Sequence, residues 1–528
     1  MAELESAARE LSAGLAFHRL GELEAAERCY QGIVQADPKH TEALKLLSVL
    51  SLDRGDLARA AAYADAALAE RPTLGEYLHL SGRIKLAQGD LEGAASSLAR
   101  AVAAGTRDLT DALLDLAACH ARRRAWRDSL ASARRVIDAA PEHLVAQRIA
   151  GYACFWLGRD AEGLAHFERV LAGEPNQAAV WNASSVMACR SGNSVAGYQR
   201  AQRACELAPD NVEYAYQRRV AAAGAVPDWH FDMLNDGARN TAFAQAITRQ
   251  VRPEHLVLEI GTGAGLLALL AARDAGAERV LTCEANPVLA GVATEVIARN
   301  GLTERIRVIA KPSTQLALGE DVPERADVLI CEIFSVQVIT EGVLPSLEDA
   351  KARLLKPSAI IIPASAAARG ALVASASLAR KVRVGSVLGL DLSPLDAFSP
   401  VIQYLHPGHQ LELLSEGVDL LSFDLAGGSS FPAEKRIVEV TVRAAGTCQG
   451  VVQWLHLGLV ADVSFENRPD AADAGRSQHW APVFYPFPEP LVVEVGQTVV
   501  LRVSHNRVGV RVELAGLKGA ALQPELAE

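Results

Sequence analysis

Hydrophobic and polar positions along this chain follow two rhythms, and the change between them divides it. Over the first 210 residues the rhythm is long. Prolines stand at 38, 72, 141, 175 and 209, with Thr106 in the one gap, at steps of 34, 34, 35, 34 and 34 residues. Seventeen residues before each comes a turn residue: Gly21, Gly55, Gly89, Arg124, Gly158 and Gly192. Five residues after each turn comes a small side chain: Ala26, Ala60, Ala94, Ser129, Gly163 and Gly197. A small residue there lets two antiparallel helices approach closely, and a proline ends the second helix and opens the next unit. The spacing predicts six helix–turn–helix units over 1–215, all α, with a capping helix near 212–226.

Beyond that point apolar runs of strand length alternate with helical stretches, as a parallel sheet requires. Strands are expected near 256–261, 279–284, 306–311, 327–333 and 359–362, and helices near 265–275, 287–300 and 342–354. This is the pattern of an α/β, doubly wound domain over 216–364. Past 365 the runs shorten and alternate with turn residues, as in Ile437-Val438-Glu439-Val440-Thr441-Val442 and Leu491-Val492-Val493-Glu494-Val495. That predicts an antiparallel β domain over 365–528. A proline-bearing stretch at 386–412, with Pro394, Pro400 and Pro407, interrupts it as an excursion.

Composition narrows the classes. The chain has 528 residues, half of them hydrophobic, enough for several domains with real cores. Its net charge of −11 argues against a general nucleic-acid binder and is compatible with a basic protein or peptide as partner. No apolar run reaches membrane-spanning length, and the start Met-Ala-Glu-Leu-Glu has no signal-peptide character, so a cytoplasmic protein is expected. Eight cysteines are scattered with no C-x-x-C, which points to reduced thiols and no metal site.

The chemistry sits at predicted strand ends. Val257-Leu258-Glu259-Ile260 runs into Gly261-Thr262-Gly263-Ala264-Gly265, a glycine turn before a helix. Val280-Leu281-Thr282-Cys283 ends in Glu284, placed to take ribose hydroxyls. A dinucleotide fingerprint would want a third glycine where Leu266 stands. With Gly261, Gly263 and Gly265 and the strand-terminal Glu259, the turn fits a nucleoside with an amino-acid end and no phosphate, which is S-adenosylmethionine. A later strand ends in Cys331-Glu332, with Glu341 nine residues on. Two carboxylates at the same crevice suit a cationic substrate.

These motifs carry two resemblances. The 34-residue period, with Leu20-Gly21, Leu157-Gly158, Ala36-Asp37-Pro38 and Leu207-Ala208-Pro209, resembles the tetratricopeptide repeat. From Trp229 to about Glu513 the chain resembles the protein arginine methyltransferases. Trp229-His230-Phe231-Asp232-Met233-Leu234-Asn235-Asp236-Gly237-Ala238-Arg239-Asn240 looks like that family's helical lid. Glu332 and Glu341 look like its double-glutamate loop, and Gln478-His479-Trp480 like its Thr-His-Trp loop with Gln for Thr. Val442 to Thr447 and Val452-Gln453-Trp454 resemble its barrel strands. The closest likeness is the repeat-bearing branch, which typically has two catalytic modules where this chain has one.

The resemblance implies a tetratricopeptide solenoid, a class I methyltransferase sheet with an N-terminal lid helix, and an antiparallel β-barrel. It also implies a homodimer formed through the 386–412 excursion. Glu332 and Glu341 would clamp the guanidinium of an arginine. Arg239 would pair with the cofactor carboxylate, Met233 would pack near the reacting methyl and Ser313 near the adenine. Asp236 and His479 would relay the proton, and Trp480 would contact substrate. A guanidinium is planar, always charged and a poor nucleophile, so two carboxylates that hold it and draw its charge aside suit the chemistry. Arginine in a protein or peptide, free arginine or a small guanidine metabolite would all fit such a clamp, and a non-catalytic scaffold is a third reading. Val343 replaces a methionine found in asymmetric dimethylating members, whereas His479 resembles those members, so the product type stays open.

Overall fold

The computed structural model describes residues 2–405, 409–469 and 480–519, with side chains from Ser6 onward. The chain divides into two compact units, Met1–Ala225 and Val226–Glu528.

In the first unit six antiparallel helix pairs follow the sequence period, from Ala2–Arg19 with Leu23–Ala36 to Ala178–Arg190 with Ser194–Leu207. The turn residues repeat in conformation as well as in position. Gly21, Gly55, Gly89, Gly158 and Gly192 have φ between +69 and +84°, and Arg124 takes the same left-handed geometry at +58°. The small residues do what the spacing requires. Ala26, Ala60, Ala94 and Ser129 are fully buried, and a Cβ on Gly163 would sit 2.2 Å from the Met187 Cε. The helix Val212–Ala225 joins this unit, with Gln217 donating to the Ser185 hydroxyl at 3.1 Å. The repeat unit therefore runs past the boundary expected at 215.

In the second unit five strands, β1 (Leu256–Ile260), β2 (Arg279–Cys283), β3 (Ile306–Ile309), β4 (Ala326–Cys331) and β5 (Leu355–Ile362), form a parallel sheet in the order 3-2-1-4-5. All five residues of β1 are buried, as a central strand covered on both faces demands. The order reverses direction beside β1, which puts a crevice at the carboxyl ends of β1, β2 and β4.

Immediately after β5 the chain enters Ser365–Ala374, which pairs with Gly446–Val460, and that strand with Val483–Val493. These belong to a seven-stranded sheet; Glu434–Thr441, Thr498–His505 and Val510–Leu517 form a three-stranded one. An isolated bridge, Ser415 to Val442, links them, and beside it the Arg443 and Ala444 amides donate to the Leu414 carbonyl. Among the described residues the pairings give these two sheets, a two-stranded hairpin and no closed ring of strands, so the expected barrel is seen as a β-rich region. One hydrophobic core runs from Phe243 through the parallel sheet to Trp480 and Leu514. The α/β and β-rich parts share this core.

The excursion carries a short hairpin, Ser386–Val387 with Leu390–Asp391, and a 3-10 helix, Ser393–Phe398. Its apolar side chains point outward: Leu388 is 97 % exposed, and Phe398 and Val401 83 % each. Among the described residues no helix is long and apolar enough to cross a membrane, and all eight cysteines are free.

Candidate active site

The turn after β1 needs its glycines for different reasons. Gly261, Gly263 and Gly265 have φ of +88, +53 and +89°. A Cβ on Gly261 would lie 2.5 Å from the Ile333 side chain. Gly263 faces the side chains of His230 and Met233 across about 4 Å, the space a ligand backbone would want. Gly265 caps the helix Leu266–Arg273 and packs toward Ala293 and Ile297, so its role is in helix packing. The Gly261 and Thr262 amides donate to the Cys283 carbonyl at 3.1 and 3.2 Å, which ties the turn to the end of β2. Glu284 stands there. Its Oε2 accepts from the Gly263 amide and its Oε1 from the Asn286 amide, both at 2.9 Å.

This turn forms one wall of a cavity of about 550 Å³. Gly261, Gly263, Glu259, Glu284 and Ser313 line it, together with Met233 and Arg239 of the lid region and Glu332, Glu341 and Trp480. Residues predicted from separate stretches of sequence, from Met233 to Trp480, are thus brought to one place. Asp236 and Gly265 are not among the lining residues. Asp236 is 2 % exposed and caps the helix Gly237–Gln250, its Oδ1 accepting from the Arg239 amide at 2.9 Å. The cap satisfies an amide of the first helical turn. His479 lies outside the described residues. Trp480 is 7 % exposed, and its indole N–H donates to the Phe334 carbonyl at 2.7 Å, inside the loop that joins the two glutamates.

Four carboxyls and one guanidinium line the cavity, so it favours cations. Arg239 and Glu332 form an ion pair with side chains 3 % and 5 % exposed, and the guanidinium also stacks over Phe243 at 5.2 Å. Burial pushes Glu332 above the usual carboxylate range while Arg239 pulls it back. Glu341 reaches solvent at the mouth of the cavity, yet the walls around it push its carboxyl upward and the charge of Glu332 adds to this. Glu259 is deepest. Desolvation, with the charge of Glu284 adding, pushes it up to about 8 against the pull of the Thr282 hydroxyl.

S-adenosylmethionine fits these residues on an observation of the protein alone. Three buried polar atoms around the cavity have no hydrogen-bond partner: Glu259 Oε1, Arg239 Nε and His230 Nδ1. An acceptor, a guanidinium donor and an imidazole suit the ammonium and carboxylate of an amino-acid end, and Glu284 suits a ribose diol. His230 was missed as a site residue. It is 9 % exposed, stacks on Trp229 at 3.8 Å and has its pKa lowered by burial. Its place in the lid stretch was visible in the sequence, but its burial against the glycine turn was not.

Both parts of the chain are similar to known proteins. The family described as ribosomal protein L11 methyltransferase (PrmA) matches residues 241–365, and the tetratricopeptide repeat family matches 11–74 and 79–143. Over 294 residues the chain is 38 % identical to the arginine N(omega)-methyltransferase of Streptomyces achromogenes subsp. streptozoticus, covering 55 % of this chain and 79 % of that protein. The chain belongs to the arginine N-methyltransferase family. It is a tetratricopeptide-repeat region joined to an S-adenosylmethionine-dependent methyltransferase related to arginine methyltransferases. It is also 27 % identical over 338 residues to protein arginine N-methyltransferase 7 of Drosophila ananassae, covering 56 % of this chain and 48 % of that protein. The chain thus spans about half the length of that relative. A solved structure, the Trypanosoma brucei PRMT1 enzyme-prozyme heterotetrameric complex with AdoHcy, is 19 % identical, with a TM-score of 0.47, covering 56 % of this chain and 95 % of that one.

Proposed function

We propose that this member of the family transfers a methyl group to a guanidino nitrogen of arginine. The observation that carries the reading is the pair Glu332 and Glu341 in one cavity with the glycine turn and Glu284. When bound, S-adenosylmethionine supplies an electrophilic methyl group on a positively charged sulfur. Glu284 would hold its ribose, Glu259 and Arg239 its amino-acid end, Met233 would pack near the methyl, and Ser313 would lie near the adenine. Glu332 and Glu341 bind the substrate guanidinium, fix its plane and draw its positive charge away from the attacking nitrogen. Positioning of this kind can supply several kcal/mol of the barrier. Glu341, with its carboxyl pushed upward at the cavity mouth, is suited to hold the proton that the methylated nitrogen gives up. Asp236 caps its helix through Oδ1, and the resemblance implies a relay role for it with His479.

For the substrate, arginine within a protein or peptide is our first reading, with the repeats as the recruiting surface. Free arginine is the second, supported by the relative of 38 % identity, which is described as an arginine rather than a protein arginine methyltransferase. The exposed apolar side chains of the 386–401 segment support assembly as a homodimer through that arm. The deciding experiment supplies methyl-labelled S-adenosylmethionine to the full chain with free arginine and, separately, with a cell lysate. Mass spectrometry then locates the label. Label on arginine guanidino nitrogens in either sample supports the reading, and label on any other group, or none, overturns it.

A further inference from the structure

Between its two glutamates the loop 332–341 adopts a shape that its own residues resist. Val338 has φ +71°, a left-handed conformation that a β-branched side chain disfavours. Its amide donates to the Ser335 carbonyl at 2.8 Å, and the Ile339 amide to the Gln337 carbonyl at 2.9 Å. The second bond closes a three-residue turn with positive φ at its centre, the rare and strained form. Such strain persists where the surroundings over-determine it.

Three buried polar side chains supply that constraint. Gln453, fully buried, donates from Nε2 to the Val336 carbonyl at 2.7 Å. Tyr485, 2 % exposed, donates its hydroxyl proton to Gln453 Oε1 at 2.9 Å. Gln337, 7 % exposed, donates from Nε2 to the Tyr485 oxygen at 2.7 Å. The bonds run in one direction, from Gln337 through Tyr485 and Gln453 to Val336, so both ends of the chain of bonds return to the loop. They grip it at the two residues that precede Val338, midway between Glu332 and Glu341. The two β-rich strands that carry Gln453 and Tyr485 neighbour each other, with Gln453 paired to Val483. An apolar core could fill this space more cheaply, since each buried polar group must recover its desolvation cost through its bonds.

We propose that Gln453 and Tyr485 are positioning residues for methyl transfer: through Gln337 and the Val336 carbonyl they hold the loop so that Glu332 and Glu341 face the same substrate. The inference rests on the arginine reading above for what the glutamates do, and on the network alone for how they are held. The test uses the full chain carrying Tyr485→Phe, and a second variant with Gln337→Met, Gln453→Met and Tyr485→Phe together. The triple variant removes every side-chain group of the network and leaves a single backbone carbonyl to resatisfy, so it should recover most of the thermal stability that Tyr485→Phe loses. In both variants kcat with an arginine acceptor should fall roughly 10- to 100-fold, the effect of misplacing groups by about an ångström. Affinity for S-adenosylhomocysteine by calorimetry should stay within about twofold, because the network touches no group at the glycine turn.

Hydrogen exchange should quicken in the peptide spanning 332–342 while the strand Gly446–Val460 stays protected. A kcat near wild type in Tyr485→Phe would overturn the proposal. So would recovery of kcat together with melting temperature in the triple variant, which would mark the network as structural, or a loss of protection that is uniform across both peptides. If the wild-type chain methylates no arginine, the arginine reading fails, and the exchange comparison by itself decides whether the network holds the loop.

Discussion

Replacing Glu259 by glutamine removes a buried ionisable group while keeping its shape. The carboxyl is 1 % exposed. One oxygen accepts from the Thr282 hydroxyl at 2.5 Å and the other has no hydrogen-bond partner. Desolvation is the main cause that raises its pKa from 4.5 to about 8. The folded protein therefore binds this proton more tightly than the unfolded chain does. Stability from this group is fully present below the unfolded value of 4.5 and is lost as pH rises through the folded value of about 8. At about 1.4 kcal/mol per pKa unit, a shift of that size amounts to up to about 5 kcal/mol. Glutamine cannot ionise, so Glu259→Gln should lack this slope. Scanning calorimetry of the ligand-free chain across that pH window should show the variant's second-unit transition close to wild type at the acid end. It should lie progressively above wild type toward the alkaline end. Glu332 and Glu341 titrate in both proteins and cancel in the difference. Parallel curves across the window, or a wild type that gains on the variant as pH rises, would refute the reasoning.

Glu332→Gln and Glu341→Gln should each lower kcat by about 10² or more while cofactor affinity persists, measured by steady-state kinetics and calorimetry. The two should part company in stability. Glu332→Gln leaves the buried Arg239 charge without its counter-ion and should lower the melting temperature. Glu341→Gln removes a carboxyl that sits near a like charge, and should leave the melting temperature unchanged or raise it. Glu284→Ala should weaken S-adenosylmethionine binding by roughly 1–3 kcal/mol, and calorimetry showing unchanged affinity would remove Glu284 from the site. Gly261→Ala places a Cβ 2.5 Å from Ile333 at a left-handed φ; it should cost roughly 1–3 kcal/mol of stability in denaturant titration, and a neutral result would mean the turn is not held as described. Cutting the chain between Ala225 and Val226 should raise KM for a protein substrate and spare a short arginine peptide if the repeats recruit. Equal effects on long and short substrates would sink that idea.

Much of this protein was legible residue by residue because the signals are periodic or local. The six turns of the repeat unit share a left-handed backbone even where Arg124 replaces glycine, since the spacing between two antiparallel helices dictates the turn and not the residue in it. The five parallel strands fall where apolar runs of strand length stand. Glu284 and Glu332 lie beside the glycine turn because each directly follows a strand, and neighbouring parallel strands bring such ends together. For Asp236 the resemblance implied a relay role; its capping of the helix Gly237–Gln250, where it accepts from the Arg239 amide, was missed in the sequence.

What the tertiary structure decided is which distant groups meet. Arg239 pairs with Glu332 across 93 residues of sequence, and Gln337 with Tyr485 across 148. No spacing rule encodes such partners, because the first depends on how the helix Gly237–Gln250 packs on the parallel sheet and the second on how a β-rich strand does. The same packing gives a shared core to the two parts between which the hydrophobic pattern changes, from buried runs to alternation, near 365. The strain at Val338 is of this kind too. Valine prefers extended backbone, so the sequence by itself argues against a turn there, and the hydrogen bonds that flank it come from residues more than a hundred positions away. Periodicity and strand-end chemistry thus set the elements and the composition of the site, while long-range contacts set its charge pairing and the geometry of its two glutamates.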